Sequence, residues 1–140
     1  MYKIFLLGVF TLLIMSCNEK KEKSEAFGDI RGVTWLLSDI GYKTLNNDIK
    51  TTLVFGDEDK ISGNAGCNNY FGSYELYPNG INISNIGSTR KMCSEDVMEQ
   101  EMTYLDILQK ANSIKFTDNK LEIDSKAEIT SIKFVSEKNQ

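Results

Sequence analysis

From Ile30 onward the apolar residues fall mostly at every second position in short blocks, the pattern of strands with one buried face. Val33, Trp35 and Leu37 share one face of the first block, and Leu53 with Phe55 share a face of the second. Gly56-Asp57-Glu58-Asp59-Lys60 then leads to Ile61 and predicts a hairpin turn. Tyr70, Tyr74 and Leu76 point one way along a later block, with Gly72 between them, where a glycine marks a bend or bulge. Pro78-Asn79-Gly80 is a turn before Ile81 and Ile83, and Asp118-Asn119 is another between Ile114/Phe116 and Leu121/Ile123. In the last block, Ala127 to Val135, Ile129 lies on the face opposite Ile132 and Phe134, which predicts a bulge near Ser131.

One segment has a different period. Ser94 before Glu95 and Asp96 reads as a helix N-cap with acids in the first turn, and the helix is expected to run to about Lys110. Met98, Met102, Leu105 and Leu108 repeat at helical spacing and are expected to face the core, with Glu95, Glu99 and Asp106 elsewhere on the wheel. About seven or eight short strands with one late helix and no internal repeat predict a β-dominated domain.

Gly63-Asn64-Ala65-Gly66-Cys67-Asn68-Asn69-Tyr70 packs its glycines and asparagines between two strand-like stretches, so the chain must turn sharply there. Cys67 sits at that corner, and Cys93 lies 26 positions on. The two thiols are open to three readings: a disulfide, a metal pair or free cysteines. Two cysteines in a chain without histidine make an incomplete zinc site, and no Cys-x-x-Cys supports redox work. A disulfide is the favoured reading, and closing this loop stabilises by roughly 3 kcal/mol in the chain-entropy treatment.

The amino terminus narrows the compartment. Lys3, an apolar run from Ile4 to Met15 and then Ser16-Cys17 describe a signal peptide. A short apolar run ending in a small residue and Cys resembles the lipobox of bacterial lipoproteins, with Ile14 where that motif usually has Leu. In that family the leader is cut before the Cys, which is then acylated, so Cys17 is the expected lipidation site. Its removal to lipid leaves an even number of thiols for an oxidising compartment. The charged stretch that follows cannot bury enough apolar area to fold and reads as a tether. The expected organisation is a leader over residues 1–16, lipidated Cys and tether over 17–29, and one domain over 30–136.

The net charge of −4 becomes −5 once Lys3 leaves with the leader, which argues against nucleic acid as a partner. The absence of histidine excludes His-dependent triads, His metal sites and His pH switches. No Ser-x-x-Lys arrangement or spaced carboxylate pair suggests catalysis, so catalytic residues, metal and cofactor are each expected to be none. Asp57, Glu58 and Asp59 lack Ca²⁺-loop spacing and read as a solvated tip. Asn68 and Asn69 are expected to hold the corner rather than a ligand. Arg90 and Lys91 form a small basic spot beside Cys93. Trp35, Tyr70 and Tyr74 are expected to fill the interior.

Four features together resemble the META domain family, which includes HslJ-like heat-shock lipoproteins. They are Trp35-Leu36, Gly63 to Tyr70 with Gly72 and Tyr74, Thr89 to Cys93, and the helix followed by Lys120-Leu121-Glu122-Ile123. They cover nearly all of the mature domain, with Lys91-Met92 where the family often has Met-Ala before its second Cys. The resemblance implies a small α+β, lipocalin-like β-barrel with Cys67 and Cys93 paired, and no catalytic activity. The expected function is that of a monomeric envelope lipoprotein, anchored through Cys17, that binds an envelope protein or lipid or supports stress resistance. Asn18 after the acylated Cys favours the outer membrane. The alternative is a carrier or pilot holding a lipid or small apolar ligand inside the barrel, and a hydrolase or thiol enzyme is disfavoured. The ligand-binding residues are unknown at this level.

Overall fold

The alternating blocks form eight antiparallel strands in the computed structural model, which describes residues 30–78, 80–126 and 130–137. These are β1 (Thr34–Asp39), β2 (Thr52–Phe55), β3 (Lys60–Asn64), β4 (Asn69–Tyr77), β5 (Gly80–Ser88), β6 (Ala111–Thr117), β7 (Lys120–Ser125) and β8 (Ser131–Ser136). A single helix, α1 (Glu95–Gln109), lies between β5 and β6 among the described residues. The leader, the tether and Cys17 lie outside them, as do Asn79 and Ile129.

Each strand pairs with its sequence neighbour except across α1, and β1 also pairs with β8. The sheet order β5-β4-β3-β2-β1-β8-β7-β6 therefore leaves β5 and β6 as its two edges. Those edges approach closely, since a methyl group on Gly80 in β5 would strike the carbonyl oxygen of Asn112 in β6. The result is a nearly closed barrel, which removes most of the exposed edge that an open sheet presents.

The period-two faces explain the core. Trp35, Leu53, Phe55, Ile61, Tyr70, Tyr74, Leu121, Ile123, Ile132 and Phe134 are all buried. Burying each such side chain contributes about 1.5–3 kcal/mol before entropy is counted. Phe55 meets Tyr74 edge to face at 5.0 Å, and Trp35 meets Phe116 at 5.6 Å. The Trp35 indole N–H donates to the Ile30 carbonyl at 3.2 Å, so its one polar atom is satisfied inside.

Two expectations need correction. The bulge expected near Ser131 is absent from the described part of that block, where β8 pairs with β7 in regular register from Ser131 to Val135; Ile129, on which the expectation rested, lies outside the described residues. The irregularity is on the partner strand, where Leu37 opposes Phe134 and Asp39 opposes Lys133. Ser38 is the extra residue, and its hydroxyl donates to the Lys133 carbonyl at 3.1 Å. The helix stripe is also displaced. Met102 is 63% exposed, and the face turned inward carries Gln100, Glu101, Tyr104, Ile107 and Leu108. The register of β4 against β5 does shift between Phe71 and Ser73, opposite Gly72, but the extra residue is on β5, where Asn85 has φ 54°.

The antiparallel order gives the barrel two distinct ends. One carries the start of β1 and the end of β8, with the β2–β3, β4–β5 and β6–β7 turns. Arg31 bridges to Phe55, and the Ser136 N–H reaches the Asn119 carbonyl at 3.0 Å, which ties both chain ends to that rim. The other end carries the β1–β2 loop, the Gly/Asn corner and the link from β5 to α1. No helix among the described residues is long and apolar enough to cross a membrane.

Candidate functional site: the cross-linked corner

The corner begins where β3 ends. Gly63 lies so close to β2 that a Cβ would collide with the Thr52 carbonyl oxygen and stand 2.9 Å from the Tyr70 ring. Gly66 has φ 129°, a conformation that disfavours any side chain. Between them the Asn64 side-chain oxygen accepts the Gly66 N–H at 2.8 Å, the local bond that makes asparagine a turn residue. The Asn64 amide also donates to the Asn69 side-chain oxygen at 3.0 Å.

Asn68 works at longer range. Its Oδ1 accepts the Thr89 hydroxyl at 2.8 Å and the Lys91 N–H at 2.7 Å, while its Nδ2 donates to the Lys91 carbonyl at 3.3 Å. The same Nδ2 donates to Glu101 Oε1 at 2.7 Å. Glu101 Oε2 accepts the backbone N–H groups of Cys67 at 3.0 Å and Asn68 at 2.6 Å. One buried carboxylate, 4% exposed, thus satisfies three donors at the tightest point of the turn. Such charge-assisted bonds are shorter and stronger than neutral ones.

Cys67 and Cys93 are joined, with Cα atoms 6.0 Å apart. The bond ties the corner to the same segment, 89–93, that Asn68 holds by hydrogen bonds. One turn along α1 from Glu101, the Tyr104 hydroxyl lies 2.7 Å from that of Tyr70, which donates to the Thr52 carbonyl at 2.9 Å. Tyr104 is therefore the donor to Tyr70. Burial pushes both phenols above their ordinary ionisation range, and for Tyr104 the Tyr70 group adds to the effect. The ring of Tyr104 also meets those of Tyr70 and Phe134, at 5.7 and 6.3 Å.

Outside the corner an open cleft of about 630 Å³ is lined by Asp48, Ile49, Lys50, Thr52, Asn64, Gly66, Cys93 and Val97. Gln100 lies one turn beyond Val97, and its Oε1 accepts the Asn46 N–H at 2.9 Å. Its Nε2 and the Thr51 hydroxyl are buried without a hydrogen-bond partner among the described residues.

The sequence-designated residues separate accordingly. Cys67, Cys93, Asn68 and Tyr70 come together with Thr89 and Lys91, whereas Trp35 and Tyr74 sit in the core. Lys91 contributes its backbone, and its side chain and that of Arg90 are exposed. Asp57, Glu58 and Asp59 are exposed on the β2–β3 turn, at the opposite end from the disulfide. Among the described residues no group of three or more His, Cys, Asp or Glu side chains is placed to hold a metal ion. Glu101 escaped the sequence reading. Its signal was the stripe Val97, Gln100, Glu101, Tyr104, Ile107 and Leu108, which the methionines obscured.

These features define a class: a small antiparallel β-barrel braced at one end by a single helix and a disulfide-pinned glycine corner. The META domain family model matches residues 28–138, and the chain belongs to that family. An NMR structure of a protein from Burkholderia xenovorans shares the fold at TM-score 0.63 and 20% identity, covering 76% of this chain and 83% of its own. A DUF4847 family protein from Bacteroides vulgatus ATCC 8482 shares it at TM-score 0.61 and 15% identity, covering 80% and 97%. No match was found among curated proteins.

Proposed function

We propose that this META domain protein is a non-catalytic lipoprotein of the bacterial cell envelope. Acyl chains on Cys17 hold it to a membrane, the outer one favoured, and the domain acts as a monomer by binding another envelope component or supporting envelope integrity under stress. The observation that carries this reading is the closed bookkeeping of the corner. The Glu101 carboxylate, the Asn68 amide and the Thr89 hydroxyl are engaged with one another, which fits bracing better than turnover. Neither a metal nor a cofactor is invoked. Contact area for a partner is available on the outside, where Phe71 is 63% and Met92 87% exposed.

The carrier reading requires an apolar cavity of several hundred Å³. Ring-to-ring packing of Phe55 with Tyr74, and of Tyr104 with Tyr70 and Phe134, occupies the interior and gives that reading no support.

Two experiments test the proposal. Labelled palmitate should be incorporated by the wild-type chain in a bacterial host and not by Cys17→Ala; an unlabelled wild-type chain that keeps its leader refutes the anchor. Affinity capture of the tagged protein from envelope extracts should return a stoichiometric envelope partner. Native mass spectrometry showing one lipid retained per domain, with no partner, would instead favour the carrier.

A further inference from the structure

The two cysteines of the disulfide differ in exposure. Cys67 is 8% exposed, behind the corner and against Glu101. Cys93 lies on the surface and lines the cleft together with Lys50, Asn64 and Val97. Of the two cysteines, Cys93 alone lines that cleft. We propose that Cys93 is a thiol-exchange site, at which a dithiol oxidoreductase or small thiol opens the Cys67–Cys93 bond reversibly.

The step balances as ordinary thiol–disulfide exchange. An incoming thiolate attacks Cys93 Sγ and forms a mixed disulfide as the Cys67–Cys93 bond breaks. The bonding pair leaves on Cys67 Sγ, which takes a proton from water. The second thiol of the dithiol then attacks its own partner's sulfur, releasing Cys93 as a thiolate. Two electrons pass to the protein, and the dithiol becomes a disulfide.

Two details of the corner suit a reduced state that stays folded. Cys67 Sγ already lies 3.6 Å from the Lys91 carbonyl oxygen, so the new S–H finds an acceptor in place. The disulfide is also doubled by hydrogen bonds across the same two segments: Asn68 accepts from the Thr89 hydroxyl and the Lys91 N–H and donates to the Lys91 carbonyl. Breaking the covalent link therefore leaves the corner tied and both sulfurs near enough to rejoin. The inference does not depend on the lipid anchor.

The test uses the oxidised full-length protein in native buffer with a dithiol oxidoreductase whose resolving cysteine is replaced by serine. The expected product is a trapped mixed disulfide mapped to Cys93, at least tenfold over Cys67, with native far-ultraviolet circular dichroism retained after full reduction. Val97→Phe, which puts a larger side chain in the cleft lining, should slow trapping about tenfold under conditions where variant and wild type are both fully folded. Adducts that form only in denaturant, that map to Cys67, or that form equally fast in a folded Val97→Phe variant would each overturn the proposal.

Discussion

Replacing Glu101 by Gln probes the corner with the smallest change in shape. Glutamine keeps one oxygen, which can still accept the Cys67 and Asn68 backbone N–H groups. Its amide nitrogen then faces Asn68 Nδ2, donor against donor, where Glu101 Oε1 now accepts at 2.7 Å. Asn68 cannot turn over to relieve this, because its Oδ1 is held by Thr89 and Lys91. One bond to a charged group, worth about 1.5–3 kcal/mol, is lost, and two more weaken from charge-assisted to neutral. The expected destabilisation is about 2–4 kcal/mol, a large share of the roughly 5–15 kcal/mol that holds a domain folded. With a urea m-value of about 2 kcal/mol per molar, the midpoint should fall by roughly 1–2 M. Glu99→Gln is the control, since Glu99 meets Lys43 at 2.6 Å but its side chain is 61% exposed. Such a surface pair contributes at most about 1 kcal/mol. Equal midpoints for Glu101→Gln and wild type would refute the assignment of Glu101 as the brace.

Other outcomes follow from the same geometry. Gly63→Ala drives a methyl into the Thr52 carbonyl and should cost about 1–3 kcal/mol, read as a fall in Tm of several degrees; an unchanged Tm argues against the close approach. The Cys67→Ala/Cys93→Ala pair should lose about 3 kcal/mol yet remain folded, and a chain unfolded at room temperature contradicts the redundancy of the corner. Tyr70 and Tyr104 ionise less readily folded than unfolded, so their contribution is complete below the unfolded pKa of about 10 and is lost as pH rises above it. Alkaline unfolding should therefore accompany their absorbance change near 295 nm, and titration of both phenols in a still-folded domain would contradict their burial.

Much of the barrel was legible because alternation is a strong signal where one face is buried, as with Leu53/Phe55 and Leu121/Ile123. The disulfide corner was legible because glycine and asparagine in that density force a turn. The helix face was misread for a physical reason. Hydrophobicity favours Met98 and Met102 inside, but the turn needs an acceptor for three N–H groups, and only the face bearing Glu101 supplies one. The stripe through Glu101 marks its face, but partners more than 30 positions away leave no local sign of what the carboxylate binds. The bulge in β1, where Ser38 is the extra residue, left no sign, because side-chain alternation in β8 says nothing about its partner strand.

The two rims of the barrel also divide the work of the chain between them. The chain enters beside three hairpin tips, so anything that grips its amino-terminal segment grips the barrel by that rim. The sulfur bridge and its cleft lie at the other rim, a barrel's length from the place where Arg31 joins the sheet.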